Sequence, residues 1–304
     1  MSVARAPAQA KVNLSLRILA REDGGYHQIE TLFQRLALAD VVTVRLTESR
    51  SLDVSFESAG RAADLGPVER NLAWRAAEAY AAVAGWPRGF SIEIQKAIPV
   101  GGGLGGGSAD AAAVLRALDA LSTRPLGTAV LLDIAARLGA DVAFLASPAE
   151  LALAWGRGER MLDLPPLPTA PVMLVVPDFG VGTAQAYAAL AARRVEQPIV
   201  AGAVWRSPRA LGSWSAVAAD AVNDFEAVVF DDHPELARTR ALLAALPRAV
   251  FARMSGSGST LFAVLTGDGA ARTPAGAGTG LLALPAGWHT VETSTASSQP
   301  IELL

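Results

Sequence analysis

The sequence predicts an α+β chain in two domains, and three features predict it. Period-two alternation recurs along the chain, as at Val12, Leu14 and Leu16 or from Phe90 to Gln95, between stretches with helical spacing such as Ala111 to Leu121. Six glycines in seven positions, Gly101, Gly102, Gly103, Gly105, Gly106 and Gly107 around Leu104, separate one such strand from one such helix. Prolines bunch at Pro165, Pro166 and Pro168 and mark a boundary, giving domains of residues 1–166 and 167–304.

Taken in order, Lys11 to Ile18 reads as a strand with Val12, Leu14 and Leu16 on one face and Lys11, Asn13 and Ser15 on the other. Val41 to Leu46 and Leu52 to Phe56 read as further strands. Asn71 caps a helix that runs to Ala84. After the strand Phe90 to Gln95 comes the glycine run, where helix or strand would cost roughly 0.5–1 kcal/mol per Gly relative to Ala. It is therefore expected to be a loop, offering positive φ and backbone N–H groups that an anion can approach. The helix Ala111 to Leu121, capped by Ser108, would add free N–H groups at its start, and the whole reads as a phosphate cradle. Gly127 to Leu138 is a helix stopped by Gly139. Asp141 follows, ahead of Val142 to Leu145, which can open another helix. Leu151 to Trp155 is a strand, and Arg157 and Gly158 form a turn.

Beyond the prolines, Val172 to Val176 reads as a strand and Thr183 to Ala192 as a helix. A further helix opens near Pro234, a residue suited to a first turn. Ala249 to Met254 and Thr260 to Leu265 flank a glycine turn, and Trp288 to Thr293 is a closing strand. Residues 266–280 lack helical periodicity and read as a mobile surface loop or a shortened helix.

Composition excludes several classes of function. The 304 residues are 51% hydrophobic with net charge −3, and no basic run invites nucleic acid or a membrane surface. No apolar stretch approaches the ~18 residues of a membrane span, and Met1 to Arg5 lacks a signal-type apolar region. Zero cysteines exclude disulfides and thiolate chemistry, as suits a cytoplasmic enzyme. His27, His233 and His289 lie far apart, without metal-ligand spacing. Only two lysines occur, Lys11 and Lys96; arginine fills every other basic position. Lysines in such a chain are expected where a planar guanidinium would not serve.

Two familiar phosphate loops do not fit. Gly101, Gly103 and Gly106 match the dinucleotide fingerprint in spacing, but Asp119 lies inside the helix rather than at the end of a second strand. The P-loop needs Gly-Lys-Ser/Thr, and here Gly107 is followed directly by Ser108. The run from Pro99 and Val100 through Gly103, Leu104 and Gly105 instead resembles the phosphate loop of the GHMP kinases, which include galactokinase, homoserine kinase and mevalonate kinase. Ala10 to Leu14 is similar to that superfamily's first motif, and Arg253 to Ser259 to its third. Lys11-Val12-Asn13-Leu14, Gly25-Tyr26-His27, Thr31 to Gln34, Gly139 to Val142, Asn71-Leu72 and Asn223 to Glu226 together resemble one branch, the 4-diphosphocytidyl-2-C-methyl-D-erythritol kinases. The likeness runs from about residue 8 to residue 265.

The resemblance implies a two-domain fold, with an N-terminal ribosomal protein S5 domain 2-like half and a C-terminal ferredoxin-like α/β plait. It implies ATP and Mg²⁺, a small-molecule substrate carrying cytidine diphosphate, and a monomer or homodimer. Asp141 matches the general base, where the residue pattern alone fits a helix cap as well. Lys11 matches its electrostatic partner. Pro99 to Ser108, with Ala109, match the triphosphate loop, and Asn71 and Lys96 match positions near adenine; an ordinary ion pair is the alternative for Lys96. Ser108 either bonds phosphate or Mg²⁺ or only caps the helix, and Ala109 stands where the family often has a second serine. Asn13, Tyr26, His27 and Tyr187 are the substrate-binding candidates: Asn13 orients the acceptor hydroxyl or Lys11, or only hydrogen-bonds within the sheet, while Tyr26 and Tyr187 match a pair sandwiching cytosine and His27 a group bonding its edge. Residues 266–280 depart from the helix the family places there, and Ala143 replaces a frequent proline. Other readings are a kinase for another alcohol, such as mevalonate or homoserine, and a silent nucleotide-binding sensor.

Overall fold

A computed structural model describes residues 2–21, 27–56, 66–196, 211–267 and 283–304. Two long strands, β1 (Val3–Arg21) and β2 (His27–Thr47), pair antiparallel and form the backbone of the first sheet. Their register shifts between Gln9 and Lys11, between Asn13 and Ser15, and between Ile18 and Ala20. β2 changes partner along its length. Val41 to Thr47 pair with β4 (Gly89–Lys96), which also binds β3 (Arg50–Phe56) in parallel. Ile29 to Gln34 pair instead with β5 (Leu151–Gly156), which carries β6 (Arg160–Leu164).

The helices α1 (Leu72–Ala84), α2 (Gly106–Leu121), α3 (Thr128–Leu138) and α4 (Ala140–Ala146) pack as a group, with α2 lying on β1 and β2. Asn71 caps α1 as expected, its side chain accepting from Ala73 N at 2.9 Å. The start of α2 differs from expectation. Gly106 and Gly107 are already helical, Gly105 (φ 75°) is the N-cap, and the Ser108 side chain caps nothing. The left-handed turn at Gly105 ends the loop three residues before the serine, so the hydroxyl falls within the first turn.

A second, four-stranded antiparallel sheet has the order β10 (His289–Ser294), β7 (Pro171–Val176), β9 (Leu261–Leu265), β8 (Ala249–Met254). Counted within this sheet, that order is 4-1-3-2, the order of a ferredoxin-like plait. The helices α5 (Thr183–Glu196), α6 (Trp214–Asp220), α7 (Glu226–Asp232) and α8 (Pro234–Ala244) fall between β7 and β8 in the chain. Pro234 opens α8 as expected. The segment before β10, from 268 to 282, lies outside the described residues, and with it nearly all of the expected loop 266–280. The two-residue β11 (Glu302–Leu303) returns to the edge of the first sheet beside β1.

All six residues of β7 are buried. Val172, Leu174 and Val176 join the core under the first sheet, whereas Met173 and Val175 face a second core with α5, α7 and α8. Burial on both faces explains the unbroken apolar run. Leu16, Ile18 and Ile29, from the outer part of the β1–β2 hairpin, reach into that second core.

Arg35 in β2, 1% exposed, binds the far end of α4. Its guanidinium donates to the carbonyls of Phe144 (3.2 Å), Leu145 (3.3 Å), Ser147 (2.9 Å) and Ala149 (3.1 Å). Burial, reinforced by Arg116, lowers its pKa to about 10, so it stays cationic at neutral pH. Replacing it empties the carbonyls of Leu145, Ser147 and Ala149 at once, while Phe144 O keeps the Ser147 amide and hydroxyl. Arg35→Leu should lower stability by about 3 kcal/mol or more, at 1–3 kcal/mol per unpaired buried group. Urea denaturation measures this, and a loss below about 1 kcal/mol would rule out the clamp.

Candidate active site

The glycine loop lies where the two sheets meet. Gly101, Gly103 and Gly105 take positive φ (80°, 82° and 75°), the alternation that turns successive amides toward one concavity. The intervening carbonyls are held by the protein. Gly102 O accepts from Thr260 N at 3.2 Å, Gly103 O from Ser255 Oγ at 2.9 Å, and Leu104 O from Lys11 N at 3.0 Å. The Ala109 amide donates to Gly105 O at 2.8 Å, so the helix leaves the amides of Gly105 to Ser108 without intrahelical partners. These are the free donors, rather than the set from Ser108 to Ala111 that a later helix start would give. Ala109 itself is buried.

The third glycine motif is the surface on which the loop rests. A Cβ on Gly258 would lie 2.6 Å from Gly102 C and Gly103 N, and one on Gly103 would lie 2.2 Å from Ser255 O. Asn223 holds that turn by donating to the carbonyls of Met254 (2.7 Å) and Gly256 (2.8 Å).

Lys11, 3% exposed, sits against the loop from β1. Its ammonium donates to Asn13 Oδ1 at 2.7 Å and Gly103 O at 3.0 Å, and lies 3.2 Å from Asp141 Oδ2. Asn13 is oriented in turn, donating to Thr31 Oγ1 at 2.8 Å, which donates to Ser15 O at 2.8 Å. The register shifts fall on either side of Lys11 and Asn13, where bulges re-aim side chains. Asp141 lies in the first turn of α4, whose N-cap is Gly139, and makes no cap bond. Its side chain is 34% exposed, so the carboxylate meets both the buried lysine and the open cleft.

Other expected residues fall into two groups. Asn71, Lys96 and Pro99 to Gly107 line one pocket, with Val54 and Ile94. The Lys96 ammonium does not point freely into it, nor does it meet a surface acid. It is bound by Asp40 and by Asp110, both buried. His27 and Tyr187 stack with centroids 4.5 Å apart and planes at 27°. Phe225 meets the Tyr187 ring edge-on at 4.8 Å. Burial raises the Tyr187 hydroxyl pKa, with a smaller contribution from Asp141. Tyr26 lies outside the described residues. The imidazole thus covers one Tyr187 face, which leaves no space for a base between those two rings.

Asp40, Asp110, Arg35 and Ser255 were not singled out from sequence. Asp40 is a lone acid in an otherwise apolar alternation, the one visible signal of a buried partner.

The GHMP kinases N terminal domain matches residues 71–148, and the GHMP kinases C terminal domain matches residues 205–273. The 4-diphosphocytidyl-2-C-methyl-D-erythritol kinase of Moorella thermoacetica is 40% identical over 267 residues, covering 86% of this chain and 90% of that one. That of Pelotomaculum thermopropionicum is 39% identical over 260 residues, covering 86% and 88%. A crystal structure of a 4-(cytidine 5'-diphospho)-2C-methyl-D-erythritol kinase superposes with TM-score 0.74 at 33% identity, covering 97% of this chain and all (100%) of that chain. Homoserine kinase from Cytophaga hutchinsonii, at 18% identity and TM-score 0.66, shares the fold, covering 100% of this chain and 97% of its own.

Gly258→Ala would push backbone against backbone at the glycine loop. It should weaken triphosphate binding about tenfold or more, each tenfold being about 1.4 kcal/mol. Calorimetric titration with a nucleoside triphosphate checks this, and unchanged affinity would show that the loop does not depend on the turn.

Proposed function

Because the chain belongs to the 4-diphosphocytidyl-2-C-methyl-D-erythritol kinase family of GHMP kinases, we propose that it transfers the γ-phosphoryl group of ATP to the 2-hydroxyl of 4-diphosphocytidyl-2-C-methyl-D-erythritol, a step in making isoprenoid precursors. The pair Lys11 and Asp141, 3.2 Å apart at the edge of the glycine loop, carries this reading. Phosphoryl transfer needs phosphates held, charge neutralised and an acceptor hydroxyl relieved of its proton. The amides of Gly105 to Ser108 and the N-terminal end of the α2 dipole hold the phosphates. Asp141 takes the hydroxyl proton. Lys11, fixed by Asn13 and the Gly103 carbonyl, supplies positive charge where the attacking oxygen becomes negative.

Mg²⁺ is part of the proposal, as the ion that neutralises charge on the phosphates. It commonly takes one or two protein oxygens and otherwise phosphate and water. The Ser108 hydroxyl, in the first turn and capping nothing, suits such a ligand. Among the described residues no three His, Cys, Asp or Glu side chains gather as an all-protein metal cage. His27 and Tyr187, with Tyr26 beside them in sequence, are proposed to receive the cytosine, and Asn71 the adenine end. Cytosine stacking would use the Tyr187 face that the imidazole does not cover, or displace His27 from the other. The division at 166/167, a cytoplasmic location and a monomeric or homodimeric state belong to the same reading. No helix among the described residues is long and apolar enough to cross a membrane.

Coupled release of ADP tests the function directly. Turnover should require the cytidine diphosphate half of the substrate; equal turnover of free methylerythritol or of mevalonate would refute it. Asp141→Asn should fold and bind ATP yet turn over at least about a hundredfold more slowly, the usual scale for loss of a general base. Near-normal turnover would remove Asp141 from that role. Tyr187→Ala should raise KM for the cytidylyl substrate about tenfold, on a stacking contribution of roughly 1–3 kcal/mol, while leaving KM for ATP within about twofold.

A further inference from the structure

Against the glycine loop at Gly106 lies a buried group of three charges. Lys96, at the end of β4, is 7% exposed, Asp110 in α2 is 4% exposed, and Asp40 in β2 is fully buried. Asp40 Oδ1 accepts the amides of Ala97 (2.6 Å) and Ile98 (2.7 Å), the two residues that lead into the loop. Its Oδ2 binds the Lys96 ammonium, which also donates to Asp110 Oδ2 at 2.7 Å. Asp110 belongs to the helix by which the loop leaves. A Cβ on Gly106 would sit 3.3 Å from Lys96 Nζ, so the ammonium lies directly under the first helical turn.

We infer that Asp40, Lys96 and Asp110 are positioning residues that lock the entry and exit of the glycine loop together and so set its amides for triphosphate, with Lys96 acting through the loop rather than as a nucleotide ligand. One carboxylate fixes the strand end, the other fixes the helix, and the ammonium ties both. The inference rests on the kinase reading above.

Charge explains why the arrangement is compatible with an anion overhead. Two carboxylates and one ammonium would leave a net negative charge behind the phosphates. Burial pushes the Asp110 carboxyl above the usual carboxylate range, against the pull of Lys96 and with a further push from Asp40. Burial also opposes the Lys96 ammonium, but Asp110 and Asp40 together outweigh it and raise its pKa. A carboxyl displaced in this direction takes up a proton more readily, and a proton taken up there would make the group neutral overall. Asp110 Oδ1 is buried and has no protein partner, so the second oxygen is not committed to another ion pair. Lysine suits this place because a compact ammonium reaches two acids under a glycine, where a guanidinium fork would need more room.

Calorimetric Kd values for ATP and for the cytidylyl substrate, with circular dichroism to confirm folding, test the inference. Asp40→Asn, too deep to touch a nucleotide, should weaken ATP binding about tenfold and leave substrate binding within about twofold. Lys96→Met should weaken ATP binding similarly. The double variant should lose no more than either single one, because both break the same tie. Asp110→Ala should also weaken ATP binding, and Asp110→Asn, which keeps an acceptor for Lys96, should restore it. A folded Asp40→Asn with wild-type ATP affinity, or losses that multiply in the double variant, would overturn the inference. If Asp40→Asn does not fold, the Asp110 pair decides, and wild-type ATP affinity in Asp110→Ala overturns it. Failure of the wild-type protein to bind ATP would instead remove the kinase reading itself.

Discussion

The close approach of a side-chain-free loop to two lysines organises the molecule. A Cβ on Gly105 would meet Lys11 Cγ and Cε at 3.1 Å, and one on Gly106 would meet Lys96 Nζ at 3.3 Å. Glycine at those positions lets the loop lie this close to both cations, since a Cβ at either would force the lysine side chains to give way. The helical cost of Gly106, roughly 0.5–1 kcal/mol, is offset by the close approach to Lys96 and Ile98 that its bareness permits. A chain with just two lysines sets both against the same seven residues, from β1 on one side and β4 on the other.

From that contact the rest of the site can be traced outward. Lys11 links the loop to Asp141, and Asp141 is carried by a seven-residue helix. So short a helix has little intrinsic stability. Arg35 supplies the missing restraint at its C-terminal end, where a cation also complements the helix dipole. β2 delivers Arg35, Asp40 and Thr31 to three different parts of the site, which accounts for its length and its change of partner midway.

Local signals explain what the sequence revealed. The Asn71 cap, the Gly139 stop and the Pro234 start each depend on neighbours within a few residues, and each stands in the structure. The alternation expected from Lys11 to Ile18 holds only as far as Leu14, because the register shift between Asn13 and Ser15 turns Leu16 into the second core. The start of α2 was misplaced because propensity argues against glycine in a helix, while contact with Lys96 and Ile98 demands it. The Asp40 and Lys96 pair spans 56 residues and the Arg35 and Ala149 contact spans 114. No periodicity encodes such distances. The stacking of His27 on Tyr187 was hidden for the same reason, since β1–β2 and α5 meet only in the folded chain. The kinase reading itself came from motif likeness, which local physics alone narrowed only to an anion-binding loop.

The doubly buried strand β7 also limits how the enzyme can move. Swinging the second sheet away from the first would bring Val172, Leu174, Val176, Phe251, Phe262 and Val264 into water. At about 1.5–3 kcal/mol per side chain, that exceeds the roughly 8 kcal/mol released by a micromolar ligand. The shared core therefore opposes parting the two sheets, and passage of reactants is easier past the edges of the cleft than through a wide separation of the halves.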